Sequence, residues 1–214
     1  MVTTDLAIKA AVIAFGYFLG AVPFGVMVSK QFGFDILASG SGNPGATNVW
    51  RTVGPKAGTI VFILDSLKGC LPAVAAYALI HAQGWAMFAG LAAVVGHTLS
   101  PFLKFKGGKG ISTAFGAGLG AAPLVALSAI SVFGIVLWLT RYVSVSSIVA
   151  IVSAALFGYV YRVDPVVEVA LWCLAAYIIF KHRANMGRLM NGTERKYSLK
   201  SKGGSSDPIS EDRA

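Results

Sequence analysis

Repeated apolar runs of close to twenty residues constrain this chain more than any other feature. They lie at about 6–28, 57–80, 84–103, 123–140, 145–161 and 165–180. A run of about 20 apolar residues can cross the hydrocarbon core of a bilayer as a helix. Only 13% of the residues are charged, whereas a soluble domain has about 25%. We therefore predict an all-α integral membrane protein with several transmembrane helices.

A seventh apolar stretch, at 111–122, is short and rich in Gly and Ala. By length it is either a short span or a re-entrant segment. Gly116 and Gly120 are four residues apart within it, as are Gly16 and Gly20 in the first run. Small residues at this spacing predict close packing between helices.

The lysines and arginines predict the sidedness of the chain. If 111–122 counts as the fourth of seven spans and the links alternate, one face receives fifteen of the 18 cations. These are Lys30, Arg51, Lys56, Lys104, Lys106, Lys109, Arg141, Lys181, Arg183, Arg188, Arg195, Lys196, Lys200, Lys202 and Arg213. The other face receives Lys9 and Arg162. Because cytoplasmic links are enriched in Lys and Arg, we predict seven spans in the cell inner (cytoplasmic) membrane, with the N-terminus outside and the C-terminus in the cytoplasm.

The chain divides into one transmembrane domain, 1–196, and a polar tail, 197–214, for which the Ser, Gly and charged composition predicts disorder. The net charge of +9 is spread between the apolar runs and does not form one basic patch. That distribution argues against nucleic acid as a partner. Membrane lipid and anionic substrates account for it better.

Two glycine-rich segments on the predicted cytoplasmic face indicate anion binding. The segment 39–51 contains Gly, Ser, Thr and Asn without acidic groups, and it ends at Arg51, which can contact a phosphate with two hydrogen bonds. The segment 104–110 places two glycines between lysines, and glycines let successive backbone N–H groups point at one anion. A flexible turn for the first segment, and cations anchored at anionic lipid for the second, are the alternatives.

Two further pairs of polar residues complete the candidate site. His182 and Asn185 are three residues apart and would share one face of a helix. Asp65 and Lys68 lie within an apolar run, where ionisable residues usually face a cavity or the bundle interior. We take Lys68 as a candidate substrate contact, with a pair that only packs helices together as the alternative. The segments offer many cationic and amide donors but no cluster of metal ligands, so we expect phosphorylated substrates, no metal and no cofactor.

These segments together resemble the acyl-phosphate-dependent glycerol-3-phosphate acyltransferases of bacteria, the PlsY type. The resemblance covers about residues 10–196. It rests on GSGNPGATNVWRTVG, LDSLKG, GH followed by FLKFKGGKG, TRYVSVSS, and HRAN followed by GRL. It implies transfer of an acyl group from acyl phosphate to the 1-hydroxyl of sn-glycerol 3-phosphate, which gives lysophosphatidic acid and phosphate. It also implies seven spans with an external N-terminus. Ala184 departs from the pattern, which has an acidic residue there.

The predicted catalytic residues are Ser41, Arg51, Lys109, His182 and Asn185. The predicted substrate-binding residues are Asn43, Gly45, Thr47, Asn48, Lys68, Gly107, Gly108, Ser144 and Ser147. Arg51 and Lys109 would hold the two phosphates, and the base is either His182 or the donor phosphate. A soluble acyl-phosphate synthase is a candidate partner. A transporter of an anionic phosphorylated solute is the alternative function, although no internal repeat supports it.

Overall fold

The computed structural model describes residues 2–198, with side chains from residue 5 onward, and every regular element in that part of the chain is helical. The α-helices are α1 (Val2–Ala21), α2 (Phe24–Gln31), α3 (Ala46–Thr52), α4 (Pro55–Ile80), α5 (Gln83–Thr98), α6 (Ile111–Ala121), α7 (Pro123–Thr140), α8 (Val143–Val160), α9 (Pro165–Lys181) and α10 (Arg183–Met190). A short 3-10 helix, Pro101–Leu103, follows α5. The predicted all-α class is confirmed.

Five segments are long and apolar enough to cross a membrane: Asp5–Gln31, Pro55–Ile80, Gln83–Leu103, Pro123–Thr140 and Val143–Val160. A sixth is obtained if α9 and α10, which meet at a 55° bend, form one broken span. The helix α6 has 11 residues, about 16 Å at 1.5 Å per residue, so it falls well short of a bilayer core of about 30 Å. The predicted seventh span therefore stays a prediction.

The first apolar run contains a break in its helix. The hydropathy of the sequence had indicated one continuous span. Helix α1 ends at Ala21, and α2 begins at Phe24. Pro23 lies in the gap and has no backbone N–H to donate into a continuing helix. The break brings α2 against the loop before α3, where a Cβ on Gly25 would overlap with the backbone of Pro44. Irregular backbone of this kind is tolerated at membrane depth only where protein surrounds it.

Small residues set the helix packing, as the glycine pairs predicted. A Cβ on Gly16 or Gly20 would overlap with the backbone of α5, and a Cβ on Gly116 would overlap with the backbone of α4 at Ser66. A Cβ on Gly120 would lie 2.6 Å from the Cβ of Ala73 in α4. Thus α1 packs along α5 and the short α6 packs along α4. This close packing places the start of α6 beside the end of α5, where the polar loops lie.

Candidate active site

The first glycine-rich loop, residues 39–45, is folded around the side chain of Asn48, which is 6% exposed. The Asn48 Oδ1 accepts a hydrogen bond from the Ser41 backbone N–H at 3.0 Å, and its Nδ2 donates to the backbone oxygen of Asn43 at 3.0 Å. The Oδ1 of Asn43 accepts from the Gly45 backbone N–H at 2.9 Å. The amide groups of Asn43 and Asn48, predicted to bind substrate, thus shape the loop itself.

The second glycine-rich loop, residues 104–110, returns to the end of α5. The backbone N–H groups of Gly107 and Gly108 donate to the carbonyl oxygens of Thr98 and His97, both at 3.2 Å. A Cβ on either glycine would overlap with His97, so only glycine permits this approach. Both N–H groups are occupied within the fold, so neither is free to bind the anion predicted for this loop.

Lys109 lies at the junction of the second loop with α6. Its Nζ donates a hydrogen bond to Asn185 Oδ1. Helix α6 starts two residues later, and its first-turn N–H groups have no partner within the helix. Burial lowers the pKa of Lys109 from 10.5 to about 8, while nearby Glu194 opposes the shift and Arg188 and Arg51 add to it. A lysine in this environment gains strongly from an incoming phosphate, which supplies the missing negative charge.

Glu194 organises the other side of the site. Its Oε1 accepts hydrogen bonds from Asn185 Nδ2 at 2.7 Å and from Ser144 Oγ at 2.8 Å, and its Oε2 accepts from Arg188 Nε at 2.7 Å. Burial raises the pKa of Glu194, but the hydrogen bonds from Asn185, Ser144 and Arg188 outweigh it, and the net effect is a pKa below the ordinary 4.5. Asn185 is therefore fixed from both sides, by Lys109 at its oxygen and by Glu194 at its nitrogen.

The sequence reading did not identify Glu194. The available signal was that Glu194 is the only acidic residue between Glu168 and Asp207, within a strongly basic stretch. A single carboxylate among so many cations is a candidate for a structural ion pair. Nothing in the spacing indicated that it would meet Ser144, fifty residues earlier in the chain.

Arg51 reaches the same region from α3. Its Nη2 donates to the backbone oxygen of Arg195 at 3.0 Å. Its Nε is buried and, within residues 2–198, has no hydrogen-bond partner. Burial lowers the pKa of Arg51, although Glu194 opposes this. A buried donor without a partner is costly unless a ligand satisfies it, so the Arg51 Nε is available to a substrate oxygen.

Residues 194–197, here called the strap, cross from the end of α10 to α3 and α8. Within the strap, the Tyr197 backbone N–H donates to the carbonyl oxygen of Arg141 at 2.6 Å. The Tyr197 ring lies 5.8 Å from that of Trp50. We predicted that a disordered tail begins at Tyr197, and this boundary stays a prediction, although the contacts of Tyr197 with Arg141 and Trp50 argue against disorder at this one residue. The predicted tail from 199 to 214 lies outside the described residues.

His182 lies at the bend between α9 and α10 and is 3% exposed. Its Nδ1 is 2.8 Å from the backbone oxygen of Ile178. A carbonyl oxygen can only accept, so Nδ1 carries the proton, and Nε2 of the neutral ring has a free lone pair. This tautomer suits a general base.

An apolar cavity of about 60 Å³ lies between α6, α7, α8 and α9. Phe115, Phe133 and Leu171 contribute to its walls, and of the lining residues only Ser147 has a polar side chain. Ser147 is one helical turn from Ser144, the partner of Glu194. The cavity thus begins next to the polar site and extends among the helices.

The structure brings together five of the predicted residues, Arg51, Lys109, Ser144, Asn185 and, through α8, Ser147. It places Lys68 elsewhere: the side chain is 2% exposed, and its Nζ lies 2.9 Å from the oxygen of Val22. The predicted substrate contact of Lys68 thus finds no support in its position. Ser41 is exposed and Gly45 is half-buried on the first loop, and Thr47 is half-buried in the first turn of α3. In residues 2–198 no group of three or more His, Cys, Asp or Glu is arranged to hold a metal ion.

The comparisons with known proteins agree on one family. The family model described as glycerol-3-phosphate acyltransferase matches residues 10–192. The glycerol-3-phosphate acyltransferase of Trichlorobacter lovleyi is 44% identical over 185 residues, which are 86% of this chain and 95% of the relative. That of Aquifex aeolicus is 44% identical over 187 residues, which are 86% of this chain and 97% of the relative.

Two solved structures share the fold. Both are crystal structures of PlsY, an integral membrane glycerol 3-phosphate acyltransferase, one in its glycerol 3-phosphate form and one in its lysophosphatidic acid form. The first has a TM-score of 0.84 at 42% identity and covers 89% of this chain and 96% of its own. The second has a TM-score of 0.83, also at 42% identity, and covers 90% of this chain and 97% of its own. The chain is therefore a multi-pass membrane acyltransferase and belongs to the glycerol-3-phosphate acyltransferase family.

Proposed function

We propose that this enzyme transfers an acyl group from acyl phosphate to the 1-hydroxyl of sn-glycerol 3-phosphate in the cell inner membrane. The observation that carries the proposal is the convergence of two half-buried cations, Arg51 of α3 and Lys109 of the second loop, near an apolar cavity. An acyl phosphate has an apolar chain and a phosphate in one molecule, and the acceptor brings a second phosphate. The relatives crystallised in glycerol 3-phosphate and lysophosphatidic acid forms support this choice of acceptor and product.

The reaction forms one bond and breaks one. The 1-hydroxyl oxygen of the acceptor attacks the acyl carbon, the bond from that carbon to the phosphate oxygen breaks, and phosphate leaves. The leaving phosphate gains negative charge, which the Lys109 ammonium and the first-turn N–H groups of α6 stabilise. The unpartnered Nε of Arg51 would donate to an oxygen of the second phosphate.

The hydroxyl proton has two candidate destinations. One is Nε2 of His182, which carries the lone pair because Nδ1 is bonded to the Ile178 oxygen. The other is an oxygen of the donor phosphate, which becomes more basic as it leaves. Glu194 is a poor acceptor because its carboxylate is occupied by three donors and its pKa is lowered.

The apolar cavity is the position we propose for the acyl chain. Ser147 at its lining and Ser144 one turn away connect it with the polar site. In this arrangement the acyl carbon lies between the cavity and Lys109. Because the phosphates would approach from the cytoplasm, a soluble acyl-phosphate synthase is the partner we expect on that face.

The test is a reconstituted assay of purified protein with palmitoyl phosphate and glycerol 3-phosphate, and with palmitoyl-CoA as a parallel donor. We expect lysophosphatidic acid and phosphate from the first mixture and no product from the second. Lys109→Met, which keeps the chain length and removes the charge, should lower the rate about tenfold to hundredfold, since a hydrogen bond to a charged group contributes about 1.5–3 kcal/mol. Product from palmitoyl-CoA alone would overturn the proposed donor.

A further inference from the structure

Three buried ionisable side chains lie beneath the second glycine-rich loop, and no step of the reaction uses them. Asp65 and Lys68 of α4 are 1% and 2% exposed, and His97 of α5 is 8% exposed. Lys68 Nζ is 2.7 Å from Asp65 Oδ1, and His97 Nδ1 is 3.7 Å from the same oxygen. Apolar side chains of similar size would stabilise the fold about as well as a buried ion pair does. Stability therefore does not explain these three residues, which are here called the lower cluster.

His97 connects the lower cluster to the second loop. Its backbone oxygen accepts the hydrogen bond from the Gly108 N–H at 3.2 Å. Its ring lies directly against Gly108, where a Cβ would overlap with Nε2. Asp65 Oδ1 lies 3.7 Å from the opposite ring nitrogen, Nδ1, beyond hydrogen-bond distance, so the carboxylate constrains the imidazole through packing and charge. The position of the ring in turn limits where Gly108 and the adjacent Lys109 can lie.

Lys68 connects the lower cluster to the first loop. Its Nζ donates to the backbone oxygen of Val22 at 2.9 Å, at the break where Pro23 interrupts the helix. The next helix packs on the first loop, since Gly25 lies against the backbone of Pro44. One ion pair therefore reaches both phosphate-binding loops, through His97 on one side and the broken span on the other.

We propose that Asp65, Lys68 and His97 are positioning residues that hold the two glycine-rich loops in register, so that Lys109 stays buried beside Asn185. The proposal rests on the proposed function for the role of Lys109, but its central claim concerns the location of that side chain. The charged groups that face Lys109 are Glu194 of the strap, Arg188 of α10 and Arg51 of α3. None of these belongs to the lower cluster, so changes in the cluster reach Lys109 only through the loop.

The first experiment measures the titration of Lys109 without using activity. Competitive amine labelling of the full-length protein at a series of pH values, read by mass spectrometry, gives the pKa of this one side chain. In the unchanged chain we expect a pKa of about 8. In His97→Ala the loop is free to move, so the pKa should rise by at least one unit towards 10.5 and kcat/KM should fall more than tenfold.

Val12→Ala is the matched control for a general loss of stability. Val12 is 4% exposed and packs against Ala76 and Ala89, away from both loops. It should lower the unfolding temperature without changing the Lys109 titration. If His97→Ala has no more effect than Val12→Ala on the Lys109 titration and on the activity per folded molecule, the positioning role is refuted.

A double-mutant cycle tests the contact itself. Gly108→Ala alone should impair kcat/KM because its Cβ overlaps with the His97 ring. In the His97→Ala background the ring is absent, so the added methyl group should cost at least fivefold less. Residues in contact show such non-additivity, whereas independent sites do not. Additive effects would contradict the inference.

A variant that preserves folding covers the case in which His97→Ala does not fold. Asp65→Leu with Lys68→Met removes both charges together, and such replacement of a buried pair is often neutral for stability. We expect folded protein with a raised Lys109 pKa and a kcat/KM reduced more than tenfold. Folded protein with an unchanged titration and activity would overturn the proposal. Absence of acyl transfer from acyl phosphate in the unchanged chain would refute the proposed function, while the labelling result would still decide the positioning role.

Discussion

At the scale of single residues, protein contacts hold the two cations of the candidate site in half-buried positions. Lys109 contacts the neutral oxygen of Asn185 and has a pKa of about 8. Arg51 has a buried Nε without a partner in the described part of the chain. Both groups are therefore able to bind an anion. The carboxylate of Glu194, which accepts hydrogen bonds from Asn185 and Arg188, offsets part of their positive charge.

The pKa of Lys109 predicts a pH limit on activity. Lys109 would bind a phosphate only when protonated, so kcat/KM should begin to fall near pH 8 and then decrease by about tenfold per pH unit as the protonated fraction falls. Lys109→Arg keeps the charge at all these pH values, so any activity it retains should persist to higher pH. The measurement is kcat/KM for both substrates between pH 6.5 and pH 10. If kcat/KM decreases over the same pH range in Lys109→Arg, another group is responsible for the decrease.

The same shift has a consequence for stability. The folded-state pKa of Lys109 lies below that of the unfolded chain, so the unfolded state binds more protons between about pH 8 and 10.5. The cost of burying the ammonium is therefore relieved as pH rises through that window. Bound phosphate should reverse this, because it raises the pKa of Lys109.

Replacement of His182 by Ala separates the two candidate bases. If Nε2 of His182 accepts the proton, kcat should fall about a hundredfold or more, as is usual for loss of a general base. If the donor phosphate accepts it, the loss should stay below about tenfold, with the KM values little changed. Single-turnover rates in detergent, compared with the unchanged chain, make the distinction.

Motifs in the sequence predicted part of this site, and physical reasons account for the rest. The sequence could indicate four residues, because each lies in a polar segment between apolar runs: Arg51, Lys109, His182 and Asn185. The sequence could not indicate Glu194, because the hydrogen-bond partners of Glu194 depend on how α8 and α10 meet in space. Nor could the sequence reveal that the glycine N–H groups of the second loop are already bonded to α5.

At the scale of the elements, the short helix α6 shows how close packing forms the site. Its eleven residues are fewer than the usual length of a membrane-spanning helix, and its glycines let it lie against α4. Its N-terminus consequently lies beside the end of α5, next to Lys109. The glycine spacing predicted this packing, whereas the break of the first span at Pro23 was missed, because hydropathy does not distinguish a broken apolar run from a continuous one.

Two single substitutions test the packing of α6. Gly116→Ala would place a Cβ into the backbone of α4 at Ser66, so we expect destabilisation of about 1–3 kcal/mol, the usual cost of overpacking. Gly134→Ala in α7 is the matched control, since nothing lies within 4 Å of its added Cβ. That change should be neutral or stabilising by up to about 1 kcal/mol. Equal thermal unfolding midpoints of the two variants in detergent would contradict the packing argument.

At the scale of the whole molecule, helices α6, α7, α8 and α9, together with Met87 of α5, line the cavity that we assign to the acyl chain. Ala150→Phe would fill it from α8, so activity with palmitoyl phosphate should fall at least tenfold more than activity with octanoyl phosphate. Ile135→Phe, on the neighbouring α7 and 59% exposed, is the control and should leave the ratio unchanged. Equal losses with both donors would mean that the chain lies elsewhere.

The sidedness of the whole chain is the remaining expectation, and it follows from charge. The glycine-rich loops, Arg141 and the bend at His182 meet at one end of the bundle, the end that the positive-inside rule places in the cytoplasm. Arg162 lies at the opposite end, between α8 and α9. Single exposed cysteines at these two ends, Lys106→Cys and Arg162→Cys, can be introduced after Cys70 and Cys173 are replaced by Ala.

In intact spheroplasts a membrane-impermeant maleimide should label Arg162→Cys directly. It should label Lys106→Cys only after the membrane is permeabilised. The opposite pattern would place the phosphate-binding loops outside the cell, where neither acyl phosphate nor glycerol 3-phosphate is made. Labelling of both positions in intact cells would instead mean that the number of spans between them is even, since an odd number separates positions on opposite faces. An even count would remove α6 from the set of crossing helices, so the same experiment decides between six spans and seven.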